Sequence, residues 1–326
     1  MKKARLFFVI LSLCFLLGCN NAASDNTQPP STSETKADSA LQMPDEMKEV
    51  VEDPNIQWMA GMLTVIENAE MLQGISQESY EVYADPGNEI HATVTVQNGL
   101  TKTQRFYLMV FADGIPVEFT ADERTYLSYP VDLEPQQKSF EIKFDKEFAL
   151  NMGRLDFVLS FAENLQEKFP ILTYTIWIDL DDNPLLPASI WDTKEQRMGL
   201  QDKFGRGTYG AWIWNEGVTP ADTDNVSATK VSVQEGEKFL LEAIAGSPGL
   251  YRTVLVVNDA PVEVVINGEK RPYLDWNSTG TNMLQLPIHI EKIPSSGCIY
   301  TITTPLDADD LAQPILASGK VEVLSN

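Results

Sequence analysis

The sequence predicts an all-β chain of two tandem antiparallel β-sandwiches. Three observations predict it: the chain repeats itself, apolar and polar residues alternate with a period of two inside each copy, and turn dipeptides separate the alternating runs.

The repeat is read first. Gly61-Met62-Leu63-Thr64-Val65-Ile66-Glu67 matches Gly210-Ala211-Trp212-Ile213-Trp214-Asn215-Glu216. Leu108 to Asp113, with Pro116-Val117-Glu118, parallels Val254 to Asp259, with Pro261-Val262-Glu263. Arg124-Thr125-Tyr126-Leu127 parallels Arg271-Pro272-Tyr273-Leu274. Phe140, Ile142, Phe144 and Gly153 pair with Leu284, Leu286, Ile288 and Gly297, and Pro170-Ile171-Leu172 pairs with Pro314-Ile315-Leu316. The common order, more than any one match, marks a duplication of units at 61–180 and 210–326. The Arg-x-Tyr-Leu string present in both copies reads as structural.

Within a unit, Ile90, Ala92, Val94 and Val96 alternate with His91, Thr93 and Thr95. Leu284, Leu286, Ile288 and Ile290 alternate with Gln285, Pro287 and His289. Asp113-Gly114 and Asn267-Gly268 are turn dipeptides between such runs. Seven or eight short strands per unit follow, near 62–67, 80–84, 90–97, 105–111, 115–119, 138–144, 154–161 and 171–179. Residues 45–60 form a lead-in, read as a helix or a loose strand, and the 181–209 connector, with Trp191, Met198, Leu200 and Phe204, is apolar enough to pack against a sandwich.

The string from Pro86-Gly87 through Val94-Thr95-Val96-Gln97-Asn98-Gly99 to Phe111-Ala112-Asp113-Gly114 resembles the bacterial Ig-like modules called cell-adhesion-related domains. The second unit departs from that pattern at Ala245-Gly246-Ser247 and Asp259-Ala260. The resemblance implies Ig-like sandwiches and, more distantly, adhesion or display; sandwiches host many functions.

At the N-terminus, Met1-Lys2-Lys3-Ala4-Arg5 is a positive segment and Leu6 to Leu17 an apolar one of signal-peptide length. It is shorter than the roughly 20 apolar residues that span a bilayer. Leu16-Leu17-Gly18-Cys19 resembles the lipobox of bacterial lipoproteins, which implies removal of residues 1–18 and lipidation of Cys19. Residues 19–44 are then a flexible tether, because their few apolar side chains cannot offset the entropy of ordering. The expected location is the extracytoplasmic side of the cell membrane, held by acyl chains.

The formal charge is −23, and loss of Lys2, Lys3 and Arg5 with the signal makes it more negative. Such a surface disfavours nucleic acid. Once Cys14 is removed and Cys19 lipidated, only Cys298 remains, so stability must come from the cores and not from an internal disulfide.

No catalytic residue is expected. His91 and His289 fall on the polar faces of their strands, and no nucleophile elbow, phosphate loop or His/Cys metal spacing is present. Asp179-Leu180-Asp181-Asp182-Asn183-Pro184 is similar to the calcium linker of cadherins, which makes Asp179, Asp181, Asp182 and Asn183 the candidate calcium ligands. A second acidic group, Asp307, Asp309 and Asp310, lies in a late loop. Trp212 and Trp214 match Leu63 and Val65, which suggests core, whereas Trp276 lies in a polar stretch without an aromatic counterpart and is the candidate for ligand contact. The expectation is a non-catalytic envelope lipoprotein that binds or scaffolds a protein or glycan partner. The alternatives are a calcium-stiffened adhesin or stalk, and an accessory subunit of an exported enzyme or transporter.

Overall fold

The computed structural model describes residues 60–73, 81–99, 103–145, 153–161, 171–179, 191–192, 209–215, 230–233, 238–280, 283–291, 296–306, 315–318 and 320–325. Among them there are strands and turns but no helix. The lead-in before Ala60, the tether and Cys19 lie outside the described residues.

The first unit runs β1 (Ala60–Ile66), β2 (Met71–Gln73), β3 (Glu81–Tyr83), β4 (Glu89–Asn98), β5 (Gln104–Ala112) and β6 (Ile115–Pro116). It continues with β7 (Phe119–Ala121), β8 (Arg124–Tyr126), β9 (Tyr129–Leu133), β10 (Gln137–Asp145), β11 (Arg154–Phe161) and β12 (Ile171–Ile178). One sheet is ordered β1-β4-β10-β7-β8; the other is β2-β3-β12-β11-β5-β6, with β9 also on β5. Within these sheets the strands β1-β4-β10-β7 and β12-β11-β5 follow the two strand orders of an immunoglobulin-type sandwich. β3 runs parallel to β12, while β11 pairs antiparallel with both of its neighbours.

The second unit follows a two-residue strand of the connector, β13 (Trp191–Asp192), which runs parallel to β21. It comprises β14 (Tyr209–Asn215), β15 (Lys230–Val233), β16 (Lys238–Ala245), β17 (Pro248–Val257), β18 (Ala260–Val262) and β19 (Val264–Ile266). Then come β20 (Glu269–Arg271), β21 (Leu274–Thr279), β22 (Met283–His289), β23 (Ser296–Pro305), β24 (Leu316–Ala317) and β25 (Val321–Ser325). Its sheets are β14-β16-β22-β19-β20 and β13-β21-β17-β23-β25-β15, with β15 parallel to β25 as β3 is to β12.

Alternation builds both cores. Ile90, Ala92, Val94 and Val96 of β4 face Phe106, Leu108 and Val110 of β5 and Leu155, Phe157 and Leu159 of β11. In the second unit Phe239, Leu241 and Ala243 face Tyr251, Leu255 and Ile299. Each such aliphatic or aromatic residue larger than alanine contributes about 1.5–3 kcal/mol relative to its exposed state.

Strand pairing corrects parts of the repeat. Asp113-Gly114 and Asn258-Asp259 are equivalent turns, all four residues having positive φ, so Ala112 corresponds to Val257 and Met109 to Val254. The sequence match was one residue out here, because both strands are apolar on both faces and alternation cannot fix their register. The Arg-x-Tyr-Leu match also dissolves. The turns at Asp122-Glu123 and Asn267-Gly268 are equivalent, which sets Arg124 against Glu269 and Tyr126 against Arg271. Gly153/Gly297 and Leu172/Leu316 hold their matched places beside equivalent rungs.

Candidate functional site

The structured site of this chain is the face between its two sandwiches. Strands β5, β11, β17 and β23 are buried on both faces over most of their length. Inward residues fill their own core; the outward set needs a second cover. Met109, Phe111 and Val158 supply it from the first unit, and Val254, Val256, Tyr300, Ile302, Cys298 and Ile315 from the second, in one buried cluster. Two equivalent sheets therefore pack face to face, making a four-layer stack. Six or more side chains removed from water outweigh any exposed ion pair, which is worth about 0–1 kcal/mol.

The contact has an approximate two-fold character. Ser160 and Thr304 are equivalent, as are Gly114 and Asp259. Ser160 Oγ of the first unit donates to Asp259 Oδ1 of the second at 2.6 Å. In the mirror position, Thr304 lies so close to Gly114 that a Cβ added there would stand 2.9 Å from Thr304 Cβ. Gly114 also has φ +75°, so a larger residue is excluded by the contact and disfavoured by the backbone as well.

Around Asp259 the polar groups converge. Lys320 Nζ donates to Asp259 Oδ1 at 2.6 Å and to the Phe161 carbonyl at 2.5 Å. Tyr300 Oη lies 3.0 Å from both Asp259 Oδ1 and Ser160 Oγ, and the Lys320 ammonium sits 5.0 Å from the Tyr300 ring centre. Ser128 Oγ donates to the Asp259 carbonyl. Burial first, and the Asp259 charge second, push the Tyr300 hydroxyl well above its ordinary value. Burial also raises the Cys298 thiol. At the other end of the contact, Arg252 makes a bidentate pair with Asp275 at 2.6 and 2.8 Å and donates across the interface to the Asp113 carbonyl at 2.8 Å. Burial raises the Asp275 carboxyl, with Arg252 opposing the shift. Arg154 and Asp156, both fully buried, form a second bidentate pair, and Thr175 Oγ1 donates to Asp156 at 2.6 Å.

A shared turn-to-strand lock holds this layer in each unit. Asp113 Oδ1 accepts the Arg154 N–H at 2.9 Å, and the Asp113 N–H donates to the Arg154 carbonyl. In the second unit Asn258 Oδ1 accepts the Cys298 N–H at 2.9 Å, and the Asn258 N–H donates to the Cys298 carbonyl. The Asn258 side chain fills the space a Cβ would need at Gly297.

The sequence-based candidates fall elsewhere. Trp276 is not a loop residue: it lies on β21, fully buried, stacked 4.8 Å from Tyr251 and donating from Nε1 to Thr253 Oγ1 at 3.0 Å. Its polar neighbours misled, because Asp275 is buried by pairing with Arg252, and alternation then turns Leu274 and Trp276 inward. Asp179 is exposed at the end of β12, its N–H bonded to the Tyr83 carbonyl. Asp181, Asp182, Asn183, Asp307, Asp309 and Asp310 lie outside the described residues, so the calcium reading stands as an expectation. Among the described residues no three His, Cys, Asp or Glu side chains form a metal-binding group. His91 is partly exposed and contacts Glu89; His289 lies opposite Lys238.

Trp212 is corrected in the other direction. The core side of β14 carries Ala211 and Ile213, and that of β1 carries Thr64 and Ile66, so Leu63 and Trp212 face outward. Trp212 is half-buried and shares a rung with Glu242 and Gln285, which are hydrogen-bonded to each other. The parity of Ala211 and Ile213 was the signal that distinguishes these faces. The side chain of Trp214 lies outside the described residues.

No family model matches the chain, and no curated protein matches it. Among solved structures, a FixG-related protein from Vibrio parahaemolyticus aligns with 37% of this chain and 97% of its own, at 17% identity and TM-score 0.25. A Salmonella enterica SafA pilin in complex with the SafB chaperone aligns over 82% of this chain and 96% of its own, at 12% identity and TM-score 0.23. Red sea bream transglutaminase aligns over 82% of this chain and 31% of its own, at 9% identity and TM-score 0.22. The all-β fold is read from the strand pairing of the chain itself. Among the described residues no helix is long and apolar enough to cross a membrane.

Proposed function

We infer that this chain is a lipid-anchored, extracytoplasmic scaffold that holds a protein or glycan partner without transforming it. The observation that carries the reading is the face between the sandwiches. The strongest buried charges, Arg154–Asp156, Arg252–Asp275 and Lys320–Asp259, are bound into the sheets and the contact between them. Two of these cations, Arg252 and Lys320, also donate to backbone carbonyls of the first unit and so tie the two units together, which suits a spacer or platform. The lipobox-like Leu16-Leu17-Gly18-Cys19 supports the anchor, and the half-buried Trp212 on the outward face of β14 offers an aromatic contact for a partner.

The test is capture by immobilised residues 24–326 from solubilised envelope and culture fluid, with calcium and with EDTA, repeated with Trp212→Ala. A partner retained in both conditions and weakened by the substitution supports the scaffold. Retention only with calcium favours the stalk reading, with Asp179, Asp181, Asp182 and Asn183 as ligands. Turnover of a substrate at a site mapped by mutation overturns both.

A further inference from the structure

We propose that Lys320 and Asp259 condense to an amide, so that the mature protein carries a covalent cross-link at the interface between its sandwiches. The two side chains are 2% and 6% exposed, and they meet with Nζ 2.6 Å from Oδ1. Because Oδ1 is bonded to Cγ, the nitrogen stands within about 4 Å of the carbon it would attack, near the roughly 3–3.5 Å of a near-attack arrangement. Met109, Phe111, Val158 and Ile302 line the same buried layer and exclude water.

Two further groups are placed for the reaction. Ser160 Oγ, 2.6 Å from Oδ1, and Tyr300 Oη, 3.0 Å from it, direct hydroxyls at one carboxylate oxygen. Hydroxyl donors fixed where negative charge develops are the elements of an oxyanion hole. The balance is simple. The ammonium gives one proton to the carboxylate; the amine lone pair attacks Cγ, and negative charge collects on Oδ1 between Ser160 and Tyr300. The extra proton on nitrogen passes to the Oδ2 hydroxyl, the Cγ–Oδ2 bond breaks, and one water leaves. No oxidant or co-reactant is needed.

The turn conformation aims the acid. Asp259 has φ +60° and its carbonyl is held by Ser128, while Lys320 is tied to the Phe161 carbonyl. Both partners are thus held from the first unit, although they belong to the second. Condensation therefore requires docked sandwiches.

The experiment is the intact mass of residues 24–326 after full denaturation, which breaks an ion pair but not an amide. The expected mass is one water below that of the sequence. Trypsin should then release a branched peptide joining residues 253–270 to 293–326, uncut at Lys320. Asp259→Asn should lose one ammonia instead of one water, and Lys320→Arg, which keeps the charge but not the reactive amine, should return to full mass. Wild-type protein at full sequence mass overturns the proposal. So does a water still missing from Lys320→Arg, which would place the loss elsewhere.

Discussion

Thr64 sits on the inner face of β1 with its hydroxyl fully buried and without a hydrogen-bond partner. A buried, unsatisfied hydroxyl costs about 1–3 kcal/mol, and the β-branched shape of threonine is that of valine. The matched position in the second unit is Ile213, an apolar residue in its core. Thr64→Val should therefore raise stability by about 1 kcal/mol, read as a higher urea midpoint at unchanged slope. An unchanged or lower midpoint would show that the hydroxyl is satisfied in solution. Trp276 teaches the complementary lesson. Its sequence neighbours are polar, yet the indole is fully buried and its N–H is bonded to Thr253. Local polarity reports exposure only where charges are unpaired, and Asp275 is paired with Arg252.

Among the elements, the turn-to-strand lock is the device both units share, and it yields a paired prediction. Asp113→Asn should change stability by less than about 1 kcal/mol, since asparagine performs the same task at the equivalent Asn258; Asp113→Ala should cost roughly 2 kcal/mol by leaving the buried Arg154 N–H without its acceptor. Gly297→Ala should be worse than either, because the new Cβ would stand 1.7 Å from Asn258 Oδ1 at a φ of +142°. Thermal melts of the three variants give the order, and an alanine at 297 as stable as glycine would refute the lock. Much of this level was legible. The long alternating strands β4, β10 and β11 lie where the period of two placed them, and Asp113-Gly114 and Asn267-Gly268 are turns. The short strands β2, β7, β8 and β9 were missed or merged. The three residues of β2, β7 and β8 cannot display a period, β9 alternates but carries Pro130, which reads as a strand breaker, and the turn at Asp122-Glu123 has positive φ without a glycine to announce it. The site was less legible than the fold, since Asp259 and Lys320 lie far apart in sequence and only the docking of two sheets brings Ser160 to them.

At the scale of the whole molecule, the inter-sandwich face makes the units interdependent. It is nearly self-complementary, equivalent strands meeting equivalent strands, as in an isologous dimer. Residues 60–179 and 209–326, produced separately, should each self-associate through the apolar face otherwise covered by the other, whereas the joined chain stays monomeric. Sedimentation measures this, and monomeric halves at micromolar concentration would refute it. A second consequence follows from the parallel pairing of β3 with β12 and of β15 with β25. In each unit an early strand lies alongside the last one, pointing the same way, over three rungs in the first unit and four in the second. Tension applied to opposite ends of such a pair slides the strands along each other, so their hydrogen bonds are loaded together and do not unzip singly. A protein tethered at its N-terminus and gripped by a moving partner would feel that geometry as toughness: each sandwich resists being pulled apart more strongly than its equilibrium stability implies.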